Sequence, residues 1–224
     1  MLETTYRMAR GRVCELAATL SDDQLRLQVP ATPEWTVHEL LAHLVGGAAD
    51  AASGRLDGVP GKAWTARHVG ERRHNSIEEL TAEWRRVAGA ADATVTDDQR
   101  YGPNLAADAI CHEADLREAL GLPRVDREHW QSFLEVGMLY LRKKLRHSAS
   151  LLISDERGQQ WSCGEGQPAT LLQVDAYELL RASHSRRSRR QIAAWEWSST
   201  PAEEMIDSFG IFGTREDDQP IPST

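Results

Sequence analysis

Val37, Leu40, Leu41, Leu44 and Val45 recur at i, i+3, i+4, i+7 and i+8, the spacing of one face of an α-helix with 3.6 residues per turn. Thr36 precedes them, and its hydroxyl suits it to accept from the backbone N–H groups that a first turn leaves without partners. A helix is therefore expected from Thr36 to about Ala52. A face this apolar has to be covered by other elements, and the flanking sequence offers them in the same form. Residues 2–20 place Leu2, Tyr6, Val13, Leu16, Ala17 and Leu20 at an imperfect helical period around Gly11. Ser76 faces Glu79 in a capping box at the start of SIEELTAEWRRVAGAAD, and a further helix spans Leu105 to Gly121, with Pro123 two residues beyond. Ser21, Asp22, Asp23 and Gln24 can start only a short turn before Pro30 and Pro33 break the chain; Gly54 to Gly61 reads as a loop and Thr94 to Pro103 as a polar connection. Four substantial helices within residues 1–125 predict an up-down four-helix bundle.

Beyond residue 125 the pattern changes. A helix from Arg127 to Lys144 is followed by two β-like runs, SASLLISDE and QQWSCGEG, around Arg157-Gly158. Helices are then expected over Leu171 to Arg181, Arg187 to Trp195 and Ala202 to Phe209. The whole chain thus reads as mainly α: a helical bundle over 1–125, a small α+β unit over 126–215, and a disordered tail over 216–224.

The 224 residues, 41% of them hydrophobic, can build a substantial core. No stretch approaches the eighteen or so apolar residues of a membrane span, and the opening MLETTYRMARGR lacks the apolar region of a signal peptide. A cytoplasmic protein without a membrane partner is expected. Cys14, Cys111 and Cys163 are odd in number and widely spaced, so reduced thiols are expected. A net charge of -8 argues against nucleic-acid binding by the chain as a whole. The basic run Arg181 to Arg190 is either a solvated helix end or a place to meet an anionic small molecule. With no GxSxG, P-loop, GxGxxG or HExxH, serine hydrolysis and phosphoryl transfer find no support.

On the helix Leu105 to Gly121, the residues Leu105, Ala109, Leu116, Ala119 and Leu120 make one face, and Asp108, His112 and Asp115 point into it. A carboxylate withdrawn from water without a partner costs several kcal/mol, so this arrangement calls for a cation. Asp108 and His112, four residues apart, lie on one face and suit two ligands of one divalent metal. His43, at the edge of the apolar face of its helix, is the best third ligand, and the three make a bundle-core metal site. Asp115 is read as holding His112 by its second ring nitrogen, with an arginine pair as the other option. His38 lies about 140° round the helix from His43 and cannot easily share a metal with it. His68, His74, His129, His147 and His184 fall in loops or polar faces and are expected at the surface, and Cys111 reads as a buried structural thiol.

The segments PEWTVHELLAHLVG (Pro33 to Gly46), WTARHVGERR (Trp64 to Arg73), ADAICHEADLREALGLPR (Ala107 to Arg124) and ELLRASHSRRSRRQIAAWEW (Glu178 to Trp197) occur in the order seen in the mycothiol-dependent maleylpyruvate isomerase family of the DinB-like superfamily, which the chain resembles. The resemblance implies a DinB-like four-helix bundle with a divalent metal, usually zinc, held by a His on the second helix and a carboxylate-x-x-x-His pair on the last. Those positions fall on His43, Asp108 and His112. It also implies mycothiol as thiol cosubstrate, activated at the metal for attack on a small electrophile, and an arginine from the C-terminal unit at the active site, for which Arg186, Arg187 and Arg190 are the candidates. The chain departs from the characterised isomerase in having Asp108 where that enzyme has Glu, which shifts a metal by roughly a methylene. The expectation is a mycothiol-dependent transferase or isomerase, with a thiol and a small electrophile as partners and a homodimer compatible with the pattern. The alternatives are a non-catalytic metal-binding bundle with a binding or stress-response role, and a metal-free bundle with a buried Asp-His hydrogen bond.

Overall fold

A computed structural model describes residues 2–223, which fall into two units, one of residues 2–125 with 220–223 and the other of residues 126–219. The first is built on helices α1 (Leu2–Ala17), α2 (Asp22–Leu25), α3 (Val37–Ser53), α4 (Lys62–Arg72), α5 (Ile77–Asp97) and α6 (Gly102–Ala119), with a short antiparallel pair, β1 (Gln28–Val29) and β2 (Thr32–Thr36), leading into α3. Helices α1, α3, α5 and α6 form the bundle: α3 packs on α5 and α6, and α1 packs on the same two. Twelve of the 17 residues of α3 are buried, which makes it the central helix. It starts from a complete capping box, in which Glu39 N–H donates to Thr36 Oγ1 and Thr36 N–H donates to a Glu39 carboxylate oxygen. Ser76 and Glu79 do the same for α5. Leu40, Leu80, Leu116, Tyr6 and Trp84 are fully enclosed, each large apolar side chain contributing on the order of 2 kcal/mol through burial, and Trp84 Nε1–H donates to Tyr6 Oη at 3.4 Å.

Three elements of this unit depart from expectation. Pro30 and Pro33 do not merely break the chain: they sit within the β1–β2 pair, where Gln28 faces Thr36 and Val37 N–H donates to Leu27 O at 2.9 Å. Helix α4 occupies a stretch to which the sequence pattern assigns no element, because its inner face is Trp64, His68, Val69 and Arg72, a helical stripe half made of polar residues. The connection after α5 is shorter, the helix running on to Asp97.

The second unit holds a 3-10 turn (Arg127–His129), α7 (Gln131–Lys144), strands β3 (Ala149–Ser154), β4 (Gln160–Cys163), β5 (Glu165–Gln173) and β6 (Glu196–Trp197), and helices α8 (Ala176–Ser183), α9 (Arg189–Ala193) and α10 (Glu203–Asp207). The sheet order is β4-β3-β5-β6, with β3 and β5 parallel and the other pairs antiparallel. Strand β5 replaces the start of the helix expected from Leu171; α8 begins only at Ala176, where the Asp175 side chain accepts from the backbone N–H of Tyr177 and Glu178. Of the tail expected to be disordered over 216–224, Thr224 lies outside the described residues, and residues 218, 219 and 223 make defined hydrogen bonds. Gln219 is buried, its N–H donates to Gln191 Oε1, Ser188 Oγ donates to Asp218, and Arg124 N–H donates to Ser223 O. Polar side chains at the start of α9 therefore fix this segment where composition alone suggested solvent. Among the described residues no helix is long and apolar enough to cross a membrane, and the cysteines are free thiols.

Candidate metal centre

Helix α6 opens with Pro103 in its first turn and buries Leu105, Ala106, Ala109 and Ile110. This phase points Asp108 and His112 toward α3, where packing against α5 and α6 holds His43 in place. His43 Nε2 lies 3.1 Å from Asp108 Oδ2, and His112 Nε2 lies 3.3 Å from Asp108 Oδ1. One donor atom from each of the three residues can be chosen so that all lie within 4.8 Å of one another. His43 and His112 are buried, whereas the Asp108 side chain keeps 34% of its surface, so the cluster has one open flank.

The donor set fits a divalent metal. Bonds of about 2.1 Å from a tetrahedral ion place neighbouring ligand atoms roughly 3.4 Å apart, close to the two gaps that Asp108 makes here. Two imidazole nitrogens and one carboxylate match the three protein ligands of a catalytic zinc site. The far nitrogens are occupied: His112 Nδ1 is 2.8 Å from Asp115 Oδ2 and His43 Nδ1 is 3.2 Å from His68 Nδ1, so both Nε2 atoms face Asp108. Asp115, fully buried, thus sits where it can orient His112.

The charges are strongly coupled. Burial opposes ionisation of Asp108, yet His43 and His112 outweigh it and hold the carboxyl far below its usual range. Burial likewise disfavours a charged His112, but Asp108 and then Asp115 raise it to about 9. Left alone, the site holds a proton on His112, in the position a cation would take.

His68 is not at the surface. It is fully buried on α4, 2.9 Å through Nε2 from Asp50 Oδ2, and burial lowers its pKa to about 4 against the pull of Asp50. Asp50 in turn accepts two hydrogen bonds from Arg67, at 2.6 and 3.3 Å. Aromatic rings surround the cluster: the Trp35 and His43 centroids are 4.8 Å apart, those of Trp64 and His43 are 6.1 Å apart, and Tyr101 stands beside Trp64 at 6.3 Å. Burial, with Asp108 and Asp50 nearby, pushes the Tyr101 hydroxyl well above its ordinary pKa. Sequence periodicity missed these neighbours because β2 carries Trp35 two residues after Pro33 and α4 shows no apolar period; the one available signal was the i, i+4, i+8 spacing of Trp64, His68 and Arg72.

Of the remaining histidines, His38 Nε2 meets Asn75 O at 2.8 Å, His74 and His147 are exposed, and His129 and His184 are half-buried. Cys111 is also half-buried, not enclosed as expected, because it points away from the apolar stripe of α6. The three arginines belong to the second unit. Arg187 is buried and bidentate to Glu178 at 2.6 and 2.7 Å, Arg186 donates to His184 O at 2.8 Å, and the exposed Arg190 pairs with Asp218.

A family model described as the mycothiol maleylpyruvate isomerase N-terminal domain matches residues 6–119. Two solved structures resemble the chain: the mycothiol-dependent maleylpyruvate isomerase, with TM-score 0.53 and 11% identity, and a histidine-to-alanine mutant of the mycothiol-dependent maleylpyruvate isomerase, with TM-score 0.59 and 10% identity. Each match covers 90% of this chain and 93% of the other. At such identity the likeness is one of fold. No curated protein sequence matches the chain.

Proposed function

Because the chain belongs to the mycothiol maleylpyruvate isomerase N-terminal domain family, whose model spans residues 6–119, we propose that it is a metal-dependent enzyme using mycothiol for S-transfer to, or isomerisation of, a small electrophilic substrate. The observation that carries this reading is the convergence of His43 Nε2, Asp108 and His112 Nε2 on the open flank left by Asp108. These three residues would hold the metal, with zinc the ion that best suits two imidazoles and a carboxylate. When bound, it supplies the Lewis acidity that lowers the pKa of a thiol at neutral pH.

The protein's own groups do the rest. Asp115 holds His112 in the tautomer that leaves Nε2 bare, and Trp35 and Trp64 shield the histidines from water, which strengthens every charge interaction at the site. In an isomerisation the thiol sulfur bonds to one carbon of an activated double bond while the electron pair moves onto a conjugated carbonyl. The resulting single bond rotates and the sulfur leaves again, so the thiol is regenerated without redox change. In a transfer the sulfur stays on carbon and a leaving group or a proton shift completes the balance. A cytoplasmic thiol pool would supply the mycothiol.

The test is to incubate zinc-loaded and chelator-stripped protein with mycothiol and a panel of small electrophiles, cis-configured unsaturated acids included, following thiol consumption and double-bond geometry. Zinc-dependent turnover of at least one electrophile is expected. Stoichiometric zinc without turnover of any would point to the non-catalytic, metal-binding reading.

A further inference from the structure

His43 is supported through a second, longer chain of buried groups. Its Nδ1 lies 3.2 Å from His68 Nδ1, His68 Nε2 lies 2.9 Å from Asp50 Oδ2, and Asp50 is gripped by Arg67. The His43 and His68 centroids are 5.3 Å apart with planes tilted by 26°. Since the facing nitrogens are much closer than the centroids, the rings meet edge to edge, as an N–H to N hydrogen bond requires. Helix α3 is shaped to admit this contact. A Cβ added at Gly46 would come within 2.4 Å of the His68 ring and 2.5 Å of its Cβ, so only a glycine there lets α4 bring His68 to this depth.

We propose that Asp50 and His68 form a relay that sets the tautomer and orientation of His43, presenting a bare Nε2 toward Asp108 and a divalent cation. The inference rests on the metal site proposed above and extends it to positioning residues two helices deep. If Nε2 of a neutral His43 ligates a metal, its proton is on Nδ1 and must be donated. The neighbouring acceptor is His68 Nδ1, which then carries a lone pair. His68 therefore keeps its own proton on Nε2 and donates it to Asp50. Each donor meets one acceptor, and within this chain no other neutral assignment leaves His43 Nε2 bare with both hydrogen bonds intact. Asp115 performs for His112 in one step what Asp50 performs for His43 in two.

The experiment uses the full chain and zinc alone, with competition against a chromophoric chelator and nitrogen-detected spectra of the imidazoles. In zinc-loaded wild type, His68 should carry its proton on Nε2 and His43 on Nδ1. His68→Leu should weaken zinc binding about 10- to 100-fold, while His68→Gln, whose amide oxygen can accept from His43 and whose NH2 can donate to Asp50, should recover most of that loss. A wild-type His68 protonated on Nδ1, or a folded His68→Leu variant that binds zinc as tightly as wild type, would overturn the relay and leave the metal site standing. Should His68→Leu not fold, the wild-type spectrum alone decides. A wild type that takes up no zinc would overturn the metal site itself, and the relay with it.

Discussion

In the unit of residues 126–219, Arg187 meets Glu178 through two parallel hydrogen bonds and Arg127 meets Asp155 at 2.5 Å, each buried charge facing one of opposite sign. Helix α6 in the other unit uses the same device at Glu113, which accepts two hydrogen bonds from Arg12 at 2.7 Å. Five residues earlier on that helix, Asp108 faces two imidazoles, whose charge depends on a proton that a metal can displace. The contrast separates buried charge that is closed on its partner from buried charge that leaves donor atoms open. A guanidinium is always charged and offers no lone pair to a metal, whereas the two histidines and Asp108 leave a set of donor atoms within 4.8 Å of one another.

Substitutions can break that contrast. The largest effect on stability is expected for Arg187→Leu, which leaves Glu178 without its bidentate partner. A loss of about 3–5 kcal/mol should appear in denaturant titration, with the zinc stoichiometry of the folded fraction unchanged. Loss of zinc binding by the folded variant would mean that the two solutions are not separate.

A pH series sharpens the same point. In metal-free protein the His112 pKa, raised to about 9, contributes stability in full below about pH 6.5. That contribution should be lost as pH rises from there through about 9. Asp108, depressed in the fold, contributes above its ordinary pKa and loses that contribution in acid. Melting temperatures of metal-free protein should therefore fall between pH 6.5 and 9 from this pair. In zinc-loaded protein the proton is gone from His112 Nε2, and the alkaline decline should disappear. An identical pH profile with and without zinc would contradict the assignment.

Much of this architecture is legible in the sequence, for identifiable reasons. Helices α3 and α5 announce themselves by a cap, an acidic N3 residue and an apolar period, and α6 by its apolar stripe with Gly121 and Pro123 at its end. The Asp108–His112 pair follows from helical spacing alone, and His43 from its place on the central helix. Helix α4 is hidden because His68 and Arg72 occupy half of its buried face, their burial made tolerable by Asp50 and Glu83 from elsewhere in the fold. Strand β5 is hidden because Leu172 is its one buried residue. Partners that lie far apart in sequence leave no local period, and both the His68 relay and the Trp35 wall are of that kind.

Asp115→Ala should weaken zinc binding about 10- to 100-fold by releasing the His112 ring, measurable by chelator competition; unchanged affinity would remove Asp115 from the site. The smallest effect expected is that of Thr36→Ala, which removes the cap of α3 at a cost of about 1 kcal/mol. Zinc affinity should hold, because the packing of α3 on α5 and α6 keeps His43 in place.

His43, Asp108 and His112 are proposed to bind one metal ion. Zinc content after equilibration and desalting, compared between wild type and His112→Ala, tests it most directly. About one equivalent is expected in wild type and essentially none in the variant, with both folded by circular dichroism. Equal zinc in the two proteins, or none in either, would contradict it.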